Sequence, residues 1–273
     1  MKIGLIGCGV IGDALRRACV AKSIEIAVYD KFKPEWQDRE SLLDAALVFL
    51  CVPTPTQRDH QDLSALEESL HWLQSKDYPG VVVIRSTVIP GTTAGLQKLF
   101  RIPLVHCPEF LTAARPLEDM LEQRTVLLGS SSQPALVVAK DFWLNFDSRL
   151  TVQLYGSPSI TEMAKYLHNC FLATKVGFFN EMYDLCWKLG IDYDQALHGA
   201  CGIGQVGPGH TRVPGPDGQR GFGGMCFIKD TAALQGLADA LGLPPGILTT
   251  VIAENRRRRP EAYDGREKTG YAE

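Results

Sequence analysis

The sequence predicts an α/β protein: a doubly wound, mostly parallel sheet at the N-terminus, then an all-helical domain with one long helix. Three observations carry this. Short apolar runs alternate with helically spaced segments through the first half of the chain. The first run leads straight into a glycine-rich turn. From Ser159 the alternation stops and a helical pattern runs unbroken to Leu189.

Residues 2–6 are a short apolar run, as a buried parallel strand reads, and residues 10–21 have helical spacing. A second strand is expected over Ile24 to Tyr29, ending at Asp30. Leu47 to Val52, Val81 to Ile84, Leu104 to His106 and Thr125 to Leu128 are further strands, joined by right-handed connections. Ser159 and Glu162 have capping-box spacing at the start of the long helix, and Gly190 suits its end. At 1.5 Å per residue that helix is ~46 Å long. Residues 193–200 form a short helix, and further helices are expected near 229–240 and 245–257. Between them, residues 202–224 are a Gly/Pro-rich loop too long for a mere connector. The expected division is residues 1–157, residues 158–257 and a polar tail over 258–273.

The chain has 273 residues and a formal net charge of -3, which argues against nucleic acid or an anionic membrane as partner. The one basic cluster, Arg256 to Arg259, is expected to be a solvated helix end. No two of the eight cysteines have CxxC spacing, so no zinc or redox motif is expected. With no apolar run of membrane length and no signal-like N-terminus, a reducing, cytoplasmic setting is expected.

Gly7-Cys8-Gly9-Val10-Ile11-Gly12 is a G-x-G-x-x-G that follows a strand and opens a helix, and Asp30 ends the next strand. In that context the motif is a Rossmann-type dinucleotide site. Gly7 permits the tight turn, Gly9 admits a pyrophosphate, and Gly12 allows close helix–strand packing. The helix N-terminus presents free N–H groups to phosphate. Asp30 would accept from ribose hydroxyls and repel a 2′-phosphate, which favours NAD over NADP. Lys31 softens that preference.

Further motifs follow in order. They are Phe49-Leu50-Cys51-Val52-Pro53-Thr54-Pro55, Ser86-Thr87-Val88-Ile89-Pro90-Gly91-Thr92-Thr93, Pro108-Glu109-Phe110-Leu111, Lys165-Tyr166-Leu167-His168-Asn169 and Gly221-Phe222-Gly223-Gly224-Met225-Cys226-Phe227-Ile228-Lys229-Asp230. Over nearly the whole chain these resemble the nucleotide-sugar 6-dehydrogenases, the UDP-glucose and GDP-mannose dehydrogenases. The resemblance implies NAD-dependent oxidation of a sugar C6 alcohol to a carboxylate through a cysteine thiohemiacetal and thioester. It also implies a homodimer built on the long helix. The family's further nucleotide-sugar-binding domain is not expected here.

Cys226 fits the nucleophile, because it follows two glycines and precedes a helix whose N-terminus favours the thiolate. Asp230, one turn on, would assist proton transfer, with Lys229 pointing elsewhere. Lys165 and Asn169 share a helix face. The resemblance gives Lys165 the developing alkoxide and Asn169 the orientation of substrate and water. Thr87 ends a strand at the carboxyl edge of the sheet, and Glu109 on the next loop could serve as base in thioester hydrolysis. Val52, Pro53, Thr54 and Thr87 join Gly7, Gly9, Val10, Ile11, Gly12 and Asp30 as cofactor contacts. Phe110, Leu111, His210, Arg212, Arg220, Phe222 and Gly223 join Lys165 and Asn169 as substrate contacts.

The sequence departs from the family in two places. Ala113 stands where many members carry a second glutamate, and Gln205-Val206-Gly207 replaces Arg-Ile-Gly, with Arg212 the candidate to compensate. Two other readings are weighed: a two-electron hydroxyacid or alcohol dehydrogenase, and a non-catalytic NAD-binding module acting with a partner chain.

Overall fold

The structure, a computed structural model, describes residues 1–57 and 60–263. Two compact units are present: Met1–Gln57 with Gln61–Lys165, and a second running from Tyr166.

The first unit is a sheet with helices between its strands. Its elements are β1 (Ile3–Ile6), α1 (Val10–Ala21), β2 (Ile26–Tyr29), β3 (Leu47–Leu50), α2 (Ser64–Ser75), β4 (Val81–Ile84), α3 (Thr92–Leu99), β5 (Leu104–His106), α4 (Pro116–Glu122), β6 (Thr125–Gly129), α5 (Gln133–Phe146) and β7 (Thr151–Tyr155). The strand order is β2-β1-β3-β4-β5-β6-β7. The first five strands are parallel. β6 pairs antiparallel to β5, and β7 pairs parallel to β6. The order reverses between β1 and β3, which opens the crevice where such sheets bind ligands. Register puts Tyr29, Ile6, Leu50, Ile84 and His106 in one row, so the five parallel strands end level.

Alternation along the strands divides the core in two. Ile3, Leu5, Phe49, Val83 and Val105 pack with Leu15, Ala18, Ala139, Phe142 and Trp143. Val48, Leu50, Val82, Ile84 and Leu104 pack with Leu66, Leu70, Leu73, Leu96 and Phe100. Phe49 meets Phe142 edge-on at 5.1 Å between centroids. Burying each such side chain stabilises the fold by ~1.5–3 kcal/mol.

β7 has no counterpart in the apolar runs because it is an edge strand with three of its five residues exposed. The capping box expected at Ser159 and Glu162 does not form. Glu162 instead turns its carboxylate to α3, accepting from Gly91 N at 2.7 Å and Thr93 N at 2.8 Å.

The second unit holds most of α6 (Pro158–Leu189), then α7 (Tyr193–Gly202), α8 (Met225–Ala240) and α9 (Ile247–Arg258). Gly190 ends α6 with φ +68°, and Asp192 caps α7 through Gln195 N. Two small cores form, around Ala173, Phe222 and Val251 and around Phe179, Tyr193 and Val213. Only the first half of the arginine cluster is a solvated helix end, since Arg256 and Arg257 are exposed. Arg258 pairs with Asp184 and Arg259 with Asp217, their side chains only 10% and 6% exposed. The long loop is tied down in the same way: Tyr193 Oη donates to Thr211 O at 2.6 Å, and Arg220 pairs with Asp184.

Candidate active site

The carboxyl edge of the sheet carries the features of a dinucleotide cradle. Gly7 has φ +90°, and a Cβ there would lie 2.5 Å from Cys51 O. A Cβ on Gly12 would fall 2.0 Å from Gly7 O, so the start of α1 packs against bare backbone. Gly9 precedes α1, and nothing lies within 4 Å of a Cβ built there. That clearance, beside unpaired N–H groups, suits a pyrophosphate. Val10 and Ile11 are half-buried in the first turn.

Asp30 is already engaged within the turn. Its Oδ2 accepts from Cys8 N at 2.7 Å and its Oδ1 from Phe32 N at 2.9 Å, bracing the glycine-rich turn. Lys33, not singled out in the sequence, donates to Cys8 O at 2.7 Å. Lys31 instead pairs with Glu68. Thr54 is buried, and its hydroxyl donates to Thr87 O at 2.7 Å, as does Gln61 Nε2. Val52 O accepts from Ser86 Oγ at 2.6 Å, and Pro53 beside it is exposed.

The first two turns of α6 serve this same unit. Lys165 Nζ lies 2.8 Å from Glu109 Oε1 and 2.6 Å from Glu109 O, both residues nearly buried. The ring of Phe110 lies 5.3 Å from the ammonium, and Leu111 N donates to Glu109 Oε2 at 2.8 Å. Burial works against ionising Glu109, but the Lys165 ammonium and these hydrogen bonds hold its carboxyl below the usual range. One turn earlier, Thr161 Oγ1 lies 2.8 Å from His106 Nδ1. Burial, reinforced by the Arg85 charge, pushes the His106 imidazole down to about 3, so it is neutral.

In the second unit, Asn169 Nδ2 donates to Asp230 Oδ2 at 2.6 Å, with both side chains buried. Lys229, expected to point away, instead pairs with Asp230 Oδ1. Cys226 lies within the first turn of α8 rather than before it, and it is exposed. Gly224 precedes the helix with φ +70°. Phe222 is buried, and Gly223 partly so. Arg212 is exposed, and His210 has φ +63° with its ring 5.8 Å from Phe227. Arg220 is engaged within the fold, by Asn180 at 2.7 Å and by Asp184.

Lys165 thus forms an ion pair within the first unit, and Asn169 a hydrogen-bonded pair within the second. Four groups in and around these networks were not read from the sequence: Glu162, His106, Asn180 and Asn255. Glu162 had a visible signal, a glutamate three residues before the lysine, but it was assigned to its own helix.

Residues 29–147 match the NAD binding domain model of the UDP-glucose/GDP-mannose dehydrogenase family, and residues 159–257 match that family's central domain. The UDP-glucose 6-dehydrogenase of Pseudomonas aeruginosa is 31% identical over 82% of this chain and 51% of its own length. The UDP-glucose 6-dehydrogenase TuaD of Bacillus subtilis is 27% identical over 90% and 54%. The chain spans about half the length of these relatives. Among solved structures, a UDP-glucose dehydrogenase from the archaeon Pyrobaculum islandicum shares the fold at TM-score 0.81 and 23% identity, over 94% of this chain and 68% of that one. The Mycobacterium tuberculosis 3-hydroxyisobutyrate dehydrogenase shares it at TM-score 0.77 and 16% identity, over 96% and 95%. With both models of one family matched in order, and Cys226 within the second, the chain belongs to the UDP-glucose/GDP-mannose dehydrogenase family.

Proposed function

We propose that the chain oxidises the C6 primary alcohol of a nucleotide sugar of the UDP-glucose kind to the uronic acid. The carrying observation is the buried Lys165–Glu109 ion pair of the first unit, and the buried Asn169–Asp230 hydrogen bond within the second agrees with it. NAD supplies the hydride acceptor for both oxidations.

In this reading the Lys165 ammonium stabilises the alkoxide as hydride leaves C6. The Cys226 thiolate adds to the aldehyde, giving a thiohemiacetal. Loss of a second hydride leaves a thioester. Glu109 takes a proton from the water that cleaves it, Thr87 holds that water, and the thiol is restored. Asn169 orients the substrate and the water, and Asp230 assists proton transfer. Val52, Pro53, Thr54, Asp30 and the glycine cradle hold the cofactor. Phe110, Leu111, His210, Arg212, Arg220, Phe222 and Gly223 contact the nucleotide sugar. Arg220 would do so while its Nε and Nη2 are held by Asn180 and Asp184. Residues 1–157 would act as the cofactor domain and 158–257 as the domain carrying the cysteine.

The exposed face of α6 supports a homodimer. Ile160, Leu167, Phe171, Phe178 and Leu185 are each about half exposed or more, and their spacing of seven, four, seven and seven keeps them on one stripe. Among the described residues no helix is long and apolar enough to cross a membrane. A cytoplasmic site of action fits the cysteine usage.

A second reading, a two-electron hydroxyacid dehydrogenase, draws on the fold match that spans nearly all of a 3-hydroxyisobutyrate dehydrogenase. Such an enzyme has no use for Cys226. The deciding measurement is NADH formed per product with UDP-glucose, UDP-N-acetyl sugars and GDP-mannose. Two NADH per sugar acid, lost in Cys226→Ala, supports the four-electron reading. One NADH per product, insensitive to that change, supports the second. Tight NAD binding with no turnover on any of the sugars points to a module that needs a partner chain.

A further inference from the structure

Asn255 sits in the last turn of α9 and is 3% exposed. Its Oδ1 accepts from Phe222 N and its Nδ2 donates to Phe222 O, both at 2.8 Å. A side chain here imitates a partner strand, gripping one residue's N–H and C=O together. The amide also packs against bare backbone, since a Cβ on Gly221 would lie 2.4 Å from Asn255 Oδ1. From α6, Asn180 Oδ1 takes Gly221 N at 3.1 Å and Arg220 Nε at 2.7 Å. Residues 220–222 are therefore pinned from two helices. Only Gly223 and Gly224 then separate this anchor from α8 and Cys226.

A buried amide is costly unless both its ends are satisfied. Asn255 satisfies both on one residue of this turn, which packing alone would not require; a leucine would fill the space. We propose that Asn255 is a positioning residue for Cys226. By fixing Phe222 it sets the turn from which α8 starts, and so holds the thiol at the helix end where N–H groups favour the thiolate. This rests on the reading of Cys226 as the nucleophile.

The test reads the thiol directly, without substrate. The full chain is treated with iodoacetamide, and the alkylation rate at Cys226 is followed by mass spectrometry. NAD affinity and circular dichroism confirm that each variant is folded. Asn255→Ala should slow alkylation about tenfold, the scale of a lost helix-end preference. Asn255→Asp keeps the acceptor for Phe222 N but loses the donor, and should fall between. Gly221→Ala pushes a methyl into the clamp without emptying the core, and serves if the alanine variant fails to fold. A Cys226 rate within twofold of the parent in every folded variant overturns the proposal. Where the parent turns over a sugar nucleotide, NADH per product should fall from two towards one in Asn255→Asp, as aldehyde escapes before capture. An unchanged ratio with unchanged KM also counts against it. A parent that turns over no sugar nucleotide sinks the proposed function and leaves the alkylation result standing.

Discussion

Lys165 Nζ lies 2.8 Å from Glu109 Oε1, and the same ammonium is held by the carbonyl of Glu109 at 2.6 Å. The lysine and glutamate given separate roles are one buried unit. Neither can change charge or be removed without consequence for the other.

Removing the lysine alone should therefore be worse than removing both charges. Lys165→Ala leaves a buried carboxylate without its cation, at a cost of about 3–5 kcal/mol. Lys165→Met with Glu109→Gln should recover much of that. Urea denaturation of the three proteins checks this. Equal losses in the single and double variants would show that the pair is not a unit.

Acid should unfold the first unit partly through His106. Its folded value of about 3 lies below the ordinary 6.5. Between those values the unfolded chain holds a proton that the folded chain does not. Stability is thus present above pH 6.5 and lost as pH falls towards 3, by ~1.4 kcal/mol per pH unit at most. Glu109 adds a separate loss below 4.5, as pH falls through its depressed folded value. Thermal melts from pH 7 to 4 should be flatter for His106→Asn than for the parent. Parallel curves would remove His106 from the account.

Two of the three glycines of the cradle should fail differently. Gly12→Ala forces a methyl onto Gly7 O at 2.0 Å and should lower the melting temperature. Gly9→Ala meets nothing within 4 Å, so it should fold normally and lose at least tenfold in NAD affinity. Calorimetry on both variants tests this. Unchanged NAD affinity in Gly9→Ala would place the pyrophosphate elsewhere.

Cutting the α6 stripe should change the assembly and leave the fold intact. Phe171→Glu with Phe178→Glu puts charge on exposed positions, so folding should be unaffected. Sedimentation should give a dimer for the parent and a monomer for the variant. A parent that is already monomeric defeats the homodimer.

What could be read from the sequence had local causes. Gly12 is legible because the clash it avoids is with Gly7 in its own turn, and Gly7 because its φ of +90° belongs to that turn. β1, β3 and β4 are legible because every residue in them is buried, which makes them apolar throughout. β7 has water on much of its surface and shows no such run. Partners distant in sequence were the main failure. Glu162 finds Gly91 71 positions away, and Arg258 finds Asp184 74 positions away. A run of arginines carries no mark of the aspartates that will bury it. Cys226, Asn169 and Asp230 were singled out through motif order rather than physics, and spacing alone did not reveal that Lys229 would share Asp230.

The two leading turns of α6 have a consequence for how the molecule can be divided. Thr161, Glu162 and Lys165 close the hydrogen bonds of His106, of the α3 N-terminus and of Glu109. A protein expressed only to residue 157 would keep every strand of the sheet, yet expose three polar groups that had been sealed. One expressed to residue 165 would carry its own stopper. The sheet is thus finished by the opening turns of the helix that leaves it.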